Sequence, residues 1–490
     1  MEKTFSSLLK RMQELRDLDA LGGLASWDQE TFMPSKAHHS RGDMLTTLQS
    51  IRHERLIDPA LGDLLEGGLA STADEKAMVR VLKHERDRAV KLPKELVEAI
   101  AQQQSKALSS WKAAREQKSF KVFQPELAKL VALRQEQADR LGHGGERYDA
   151  LLDSYEPSMK VERLAPVLTA LKNKLTPLVE QITSRPPPKD VLGGKKFIAS
   201  RQLPFTLEVL KAMRFDLEAG RQDESIHPFT QGMHPHDVRL TTRVNDSTPL
   251  PAIFGTIHEC GHGLYEQGYP VELARTPLAQ APSMGIHESQ SRLWENVVGR
   301  SKPFWSFFWP KLQAAFPAEL GAVGIDDWLA EVNRVRRTFI RVEADEVTYN
   351  LHIVLRFELE LGMLRGSIPI SGLEEAWNAK TKELLGLEVK SPLEGVLQDI
   401  HWAFGDIGYF PTYTLGNLYS ASLWSAAKRD LGGLEASIAR GELSPLLDWL
   451  RAKVHGNGYR FSAEETITKA TGRGLTDEDF IAYLKEKYAL

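Results

Sequence analysis

Residues 253–265 read IFGTIHECGHGLY. Pro249 and Pro251 stand before this stretch and Gly268 after it, which is the punctuation of a helix with a set start and stop. Inside it, His258, Glu259, Cys260, Gly261 and His262 spell His-Glu-x-x-His. Residues four apart in a helix lie one turn apart on the same face, so the two imidazoles address one spot. They can share a metal ion at about 2.0–2.1 Å from each nitrogen, and a catalytic site then needs a third protein ligand and an open position for water. Glu259 flanks that spot and suits a general base better than a ligand. The pattern implies a zinc hydrolase, with cobalt and manganese as alternative metals. Gly261 leaves room for a second element to pass close to the helix. Cys260 lies off the ligand face and reads as a small buried residue, not a nucleophile.

The third ligand should be acidic and carried by a second helix crossing the first. The segment from Ile286 to Glu295 offers two candidates. Glu288 is the choice, and Glu295, two turns later on nearly the same face, competes for the same vacancy.

Around this motif the chain is mainly α. Leu8, Met12, Leu15 and Leu18 are spaced at three and four residues, as are Phe480, Leu484 and Tyr488. The cleanest stripe is Val161, Leu164, Leu168, Leu171, Leu175, Leu178 and Ile182, in which Pro166 and Pro177 are expected to start or kink the helix. Thr476 and Asp479 have capping spacing for the last helix. Only Leu240 to Val244, rich in β-branched residues, reads as an isolated strand or small sheet, placed just before the histidine helix. Pro186, Pro187, Pro188, Gly193 and Gly194 mark 185–195 as the junction between two lobes of one peptidase unit spanning 1–490.

Composition narrows the partners. With 62 Lys+Arg against 66 Asp+Glu, the formal charge of -4 supplies no positive field for nucleic acid. The uncharged run from Ile407 to Ala427 contains Pro411, Asn417 and several hydroxyl residues, so it reads as buried chain, not a membrane span. A single cysteine rules out an intrachain disulfide framework, and charges interrupt every apolar run near the N-terminus. A cytoplasmic setting is the expectation.

Several separated blocks then share one pattern. They are Ser26 to Pro34 (SWDQETFMP), His227-Pro228-Phe229, Asp237/Arg239/Thr241, the His-Glu-x-x-His itself, His287-Glu288-Ser289-Gln290, Ile340/Arg341/Ala344/Asp345, and Gly395/Gln398/Asp399/His401/Trp402. In this order they resemble the carboxypeptidase Taq family of zinc metallocarboxypeptidases. The resemblance implies a mainly helical, two-lobed metallopeptidase with a deep central cleft and a small β-sheet beside the histidine helix. It assigns His258, His262 and Glu288 to zinc and Glu259 to water activation. It points to Tyr409 as oxyanion donor, with Tyr413 as the other phenol and His401 or His227 assisting. A free C-terminal carboxylate calls for a guanidinium, and Arg341 and Arg239 match the family's arginines. Arg336, Arg337 and Arg341 would otherwise make a solvated helix face, and the strand that carries Arg239 could offer its edge to substrate backbone. The family pattern also implies a homodimer acting on peptides with a free C-terminus. An endo-acting oligopeptidase with the same zinc site and a non-catalytic helical scaffold stay open as alternatives.

Overall fold

A computed structural model describes residues 4–490. Among the described residues, 22 α-helices surround one three-stranded sheet, as the apolar spacing and the family resemblance lead one to expect. Buried side chains from Leu8 to Leu484 join one hydrophobic cluster. No helix among the described residues is long and apolar enough to cross a membrane. The uncharged run near residue 420 is instead a helix, Pro411–Leu431, enclosed on nearly every face.

Helix Val161–Thr183 buries the predicted leucine stripe. It runs through both prolines, so neither starts it as expected. Each proline removes one backbone donor, but six stripe residues from Val161 to Leu178 lie in the core, and packing that face outweighs the lost hydrogen bonds. The chain from Ser184 to Ile198 is irregular and joins this helix to Ala199–Ala212.

The last helix, Glu478–Tyr488, corrects the capping expectation. Its N-cap is Asp477, which makes no side-chain cap bond. The Thr476 hydroxyl accepts from the Glu478 N–H at 3.2 Å, whereas Asp479 turns inward and accepts from Ser422 at 2.8 Å.

The strand region is the small-sheet alternative, with three strands. Strands β1 (Gly220–Glu224), β2 (Thr230–His234) and β3 (Asp237–Thr242) lie in the order β1-β3-β2. β3 pairs in parallel with β1 and antiparallel with β2. Both of its edges are therefore filled, and it cannot take a substrate strand as expected; the sheet's edges belong to β1 and β2.

The arginine-rich segment also differs from expectation. Residues 334–340 are not helical. Within the segment the Asp345 carboxylate accepts from the Arg336 N–H at 3.0 Å, and it also accepts from the N–H groups of Val347 and Thr348 at 2.9 and 3.0 Å, tying the segment to the turn before the next helix. Arg341 then opens a short 3-10 turn, Arg341–Glu343, with its side chain only 5% exposed.

Candidate metal centre

Three buried helices build the site. The first is Leu250–Glu266, which carries His258, Glu259 and His262. The second is Met284–Arg292, started by the Ser283 hydroxyl accepting from the Ile286 N–H and continued as a π turn over Leu293–Val298. The third is Pro411–Leu431. The first two cross at Gly261, where an added Cβ would lie 2.6 Å from the Ser291 Cα. Any larger residue there would part the helices, so the glycine brings Glu288 within reach of the histidines.

His258, His262 and Glu288 each offer a ligand atom, all within 4.8 Å of one another. Glu288 Oε2 lies 3.3 Å from His262 Nε2 and 3.7 Å from His258 Nε2. Both Nε2 atoms thus face one carboxylate oxygen, a spacing that a single small cation can fill. Burial alone would raise the Glu288 pKa, but the adjacent Arg292 guanidinium and both histidines hold the carboxyl well below the usual range. Burial and the neighbouring His287 push His262 down to about 3, so it stays neutral with a lone pair to offer. Two imidazoles and an ionised carboxylate are the donor set of a catalytic zinc site, and the residues fit that ion.

Glu295 is not part of this triad. Its Oε2 sits 2.8 Å from His258 Nδ1, on the other ring nitrogen from the one facing Glu288, and its Oε1 accepts from Arg300 at 3.1 Å. The competition between the two glutamates therefore resolves into two positions, one facing both imidazoles and one behind a single imidazole. Glu259 is buried beside the triad, and burial raises its pKa against the pull of His258. The Thr230 hydroxyl of β2 donates to Glu259 Oε2 at 2.6 Å.

One cavity of about 1110 Å³ is lined by the triad, Glu259, His227, Arg341, His401, Tyr409 and Tyr413. Burial pushes Tyr409 up to about 12, with the Glu288 charge adding to the rise, and drives Tyr413 well above its ordinary value. Burial brings His401 down to about 4, and its Nε2 lies 3.4 Å from the Tyr413 hydroxyl. Both phenols stay protonated at neutral pH, each with a proton to donate.

Arg341 explains why two distant sequence blocks occur together. Its Nε and Nη2 donate to Asp399 Oδ1 at 3.0 and 2.8 Å, and Nη1 donates to the Tyr349 hydroxyl at 2.7 Å. Buried Arg356 donates to the other oxygen of the same carboxylate at 2.6 Å. Two guanidiniums thus share this one carboxylate, and Arg341 is the one of them at the cavity wall.

Arg239 is elsewhere. It makes a two-pronged pair with Asp237 at 2.8 and 3.1 Å and lies 4.3 Å over the Trp27 ring, outside the lining of this cavity. The N-terminal block and the Asp237 block thus meet each other, away from the triad.

Sequence reasoning missed Arg292, whose Nε holds Glu288 Oε1 at 2.7 Å; its place four residues on was the available signal. It also missed Thr230, which no local spacing connects to Glu259.

A buried carboxyl ties down the chain after His401. Glu360 accepts from the Tyr148 hydroxyl and Trp402 Nε1 at 2.8 Å each and from the Gly408 N–H at 3.1 Å. Burial raises it to about 7. The folded state therefore binds a proton more readily here than the unfolded chain does, so this group's stabilisation is present at acid pH and is lost as pH rises from about 4.5 through about 7. The loss is on the order of 3 kcal/mol, or roughly 3 °C for a chain of this size. Glu360→Gln should lower absolute stability yet flatten the fall in melting temperature between pH 5 and pH 8. An unchanged slope would show that Glu360 does not titrate in that window.

A helix-borne pair of histidines, a glutamate from a crossing helix and a buried carboxylate beside them define a helical metallopeptidase. Residues 7–488 match the carboxypeptidase Taq (M32) metallopeptidase family. The chain is 43% identical to thermostable carboxypeptidase 1 of Thermus thermophilus over an alignment of 505 residues, covering 100% of this chain and 99% of that one. It is 37% identical to carboxypeptidase 1 of Bacillus subtilis, with 100% and 98% covered. The solved M32 carboxypeptidase of Deinococcus radiodurans superposes with a TM-score of 0.97 at 38% identity, covering 100% and 99%. The chain belongs to the carboxypeptidase Taq (M32) metallopeptidase family. It is a peptide hydrolase of a metal-dependent kind, and the non-catalytic scaffold is set aside.

Proposed function

We propose that the protein is a zinc-dependent carboxypeptidase that removes C-terminal residues one at a time from peptides. The supporting observation is the convergence of His258, His262 and Glu288 beside Glu259, in a cavity whose wall carries the Arg341 guanidinium. His258, His262 and Glu288 would hold the zinc, which would supply Lewis acidity toward the scissile carbonyl and the attacking water. Glu259 takes the proton of the attacking water and delivers it to the departing amide nitrogen. Thr230 engages Oε2 of Glu259, which leaves Oε1 for that proton. Tyr409 donates its hydroxyl proton as a hydrogen bond to the developing oxyanion, with Tyr413 held behind it by His401. His227 lines the cavity and is available to substrate there, whereas Arg239, paired with Asp237 over the Trp27 ring outside that lining, has no direct substrate contact in this reading. Cobalt or manganese is expected to substitute for zinc in the same donor set.

Arg341 separates this reading from an endo-acting oligopeptidase. Its remaining N–H donors at the cavity wall suit a terminal carboxylate, an interaction of about 1.5–3 kcal/mol for hydrogen bonds to a charged group. Arg341→Ala should therefore cost roughly 10- to 100-fold in kcat/KM on a peptide with a free C-terminus. The same peptide amidated should already be poor for the wild type and change little further. Equal losses on both peptides would remove Arg341 from carboxylate recognition, and rapid cleavage of the amidated peptide by the wild type would favour the endopeptidase.

A homodimer and a cytoplasmic setting belong to the same proposal. Light scattering should return twice 55.0 kDa, and a monomer at micromolar concentration would refute the dimer.

A further inference from the structure

We propose that Glu266 is a positioning residue for His262, acting through His287. The proposal rests on the reading of His262 as a metal ligand.

His262 turns Nε2 toward Glu288, 3.3 Å away. For Nε2 to offer a lone pair to an ion, the ring's proton must sit on Nδ1. The partner of Nδ1 is neither a carboxylate nor a backbone carbonyl but another imidazole nitrogen, His287 Nδ1, at 2.6 Å. The two rings lie stacked, with planes inclined by 29° and centroids 4.5 Å apart, and their Nδ1 atoms approach to hydrogen-bond length.

Two imidazole nitrogens can bond only if one carries hydrogen and the other does not. If His262 donates, His287 Nδ1 must accept, and the His287 proton must then lie on Nε2. Glu266 Oε1 sits 2.7 Å from that nitrogen and accepts it. The order is complete: His262 Nδ1–H to His287 Nδ1, then His287 Nε2–H to Glu266. A carboxylate two side chains away thus sets which nitrogen of His262 is free.

His258 reaches the same end in one step, through Glu295. The His262 arm spans both ligand-bearing helices, because Glu266 lies one turn beyond His262 while His287 immediately precedes Glu288. β2 leaves space for this carboxylate: a Cβ on Gly232 would fall 2.4 Å from Glu266 Oε2. Partners of this kind typically change metal affinity 10- to 100-fold.

The test is zinc affinity, read by competition with a chromophoric chelator, together with the visible spectrum of the cobalt-loaded protein. Glu266→Leu should weaken zinc binding about 10- to 100-fold and shift the cobalt bands, while the metal-free melting temperature stays within a few degrees of the wild type. His287→Leu should weaken binding at least as much. The double variant should be no worse than His287→Leu alone, because Glu266 acts only through that ring. Glu266→Asp should recover part of the affinity. Wild-type affinity in Glu266→Leu, or losses that multiply in the double variant, would overturn the relay while leaving the ligand assignment intact. A wild-type chain that binds no zinc would overturn the ligand assignment itself.

Discussion

Glu259→Gln is expected to keep one zinc ion per chain and to lose about 10³-fold in kcat. The substitution preserves the shape of the side chain, and its amide can still accept from Thr230, so the wall of the cavity should hold. What disappears is the ability to take a proton. Positioned acid–base groups contribute about 10²–10⁴-fold, and here one group serves both the attacking water and the leaving nitrogen. Burial adds to its strength by raising its pKa, so it is a better base than an exposed glutamate. KM should move little, because the amide neither adds nor removes a contact with substrate. Stopped assays with metal analysis on the same preparation check this. A variant with full zinc content and near-native turnover would strip Glu259 of the base role.

The second large effect separates the two glutamates that sequence spacing could not. Glu288→Gln should lose zinc affinity by far more than 100-fold, since it removes the carboxylate that both Nε2 atoms face and leaves Arg292 buried without its nearest partner. Glu295→Gln should lose only about 10- to 100-fold, the range typical of a group that orients a ligand from behind. Its partner His258 would still face the ion, less firmly held. Equilibrium dialysis against a zinc buffer reads both. If Glu288→Gln retained zinc and Glu295→Gln did not, the ligand role would pass to Glu295.

The histidine helix was the most legible part of the molecule. Its histidines are local, their spacing matches a helical turn, and Gly261 announced a close neighbour that turned out to be the crossing helix at Ser291. Glu288 was legible as one of two candidates only, since periodicity places both acids on one face and says nothing of depth. Pairings between distant chain segments were invisible. β3 was read as a strand but not as a central one, because its partners depend on a turn and a crossover that no alternation encodes. The charges of the stretch before Arg341 fit a helix face, yet the stretch is irregular and its Arg336 N–H is bound by the Asp345 side chain. Arg239 was grouped with Arg341 by family pattern, although Asp237 two residues away was a visible counter-charge. Thr230 and Glu266 carry no signal of their own, and each matters only through the atom it touches.

The central claim is that one divalent ion is gripped jointly by His258, His262 and Glu288. A crystal of the zinc-loaded protein, with anomalous data collected on both sides of the zinc edge, tests it most directly. The account predicts a single strong peak at about 2.0–2.2 Å from His258 Nε2, His262 Nε2 and a Glu288 oxygen, with Glu295 outside that sphere. A peak at any other cluster, or none at full zinc occupancy in solution, would contradict it.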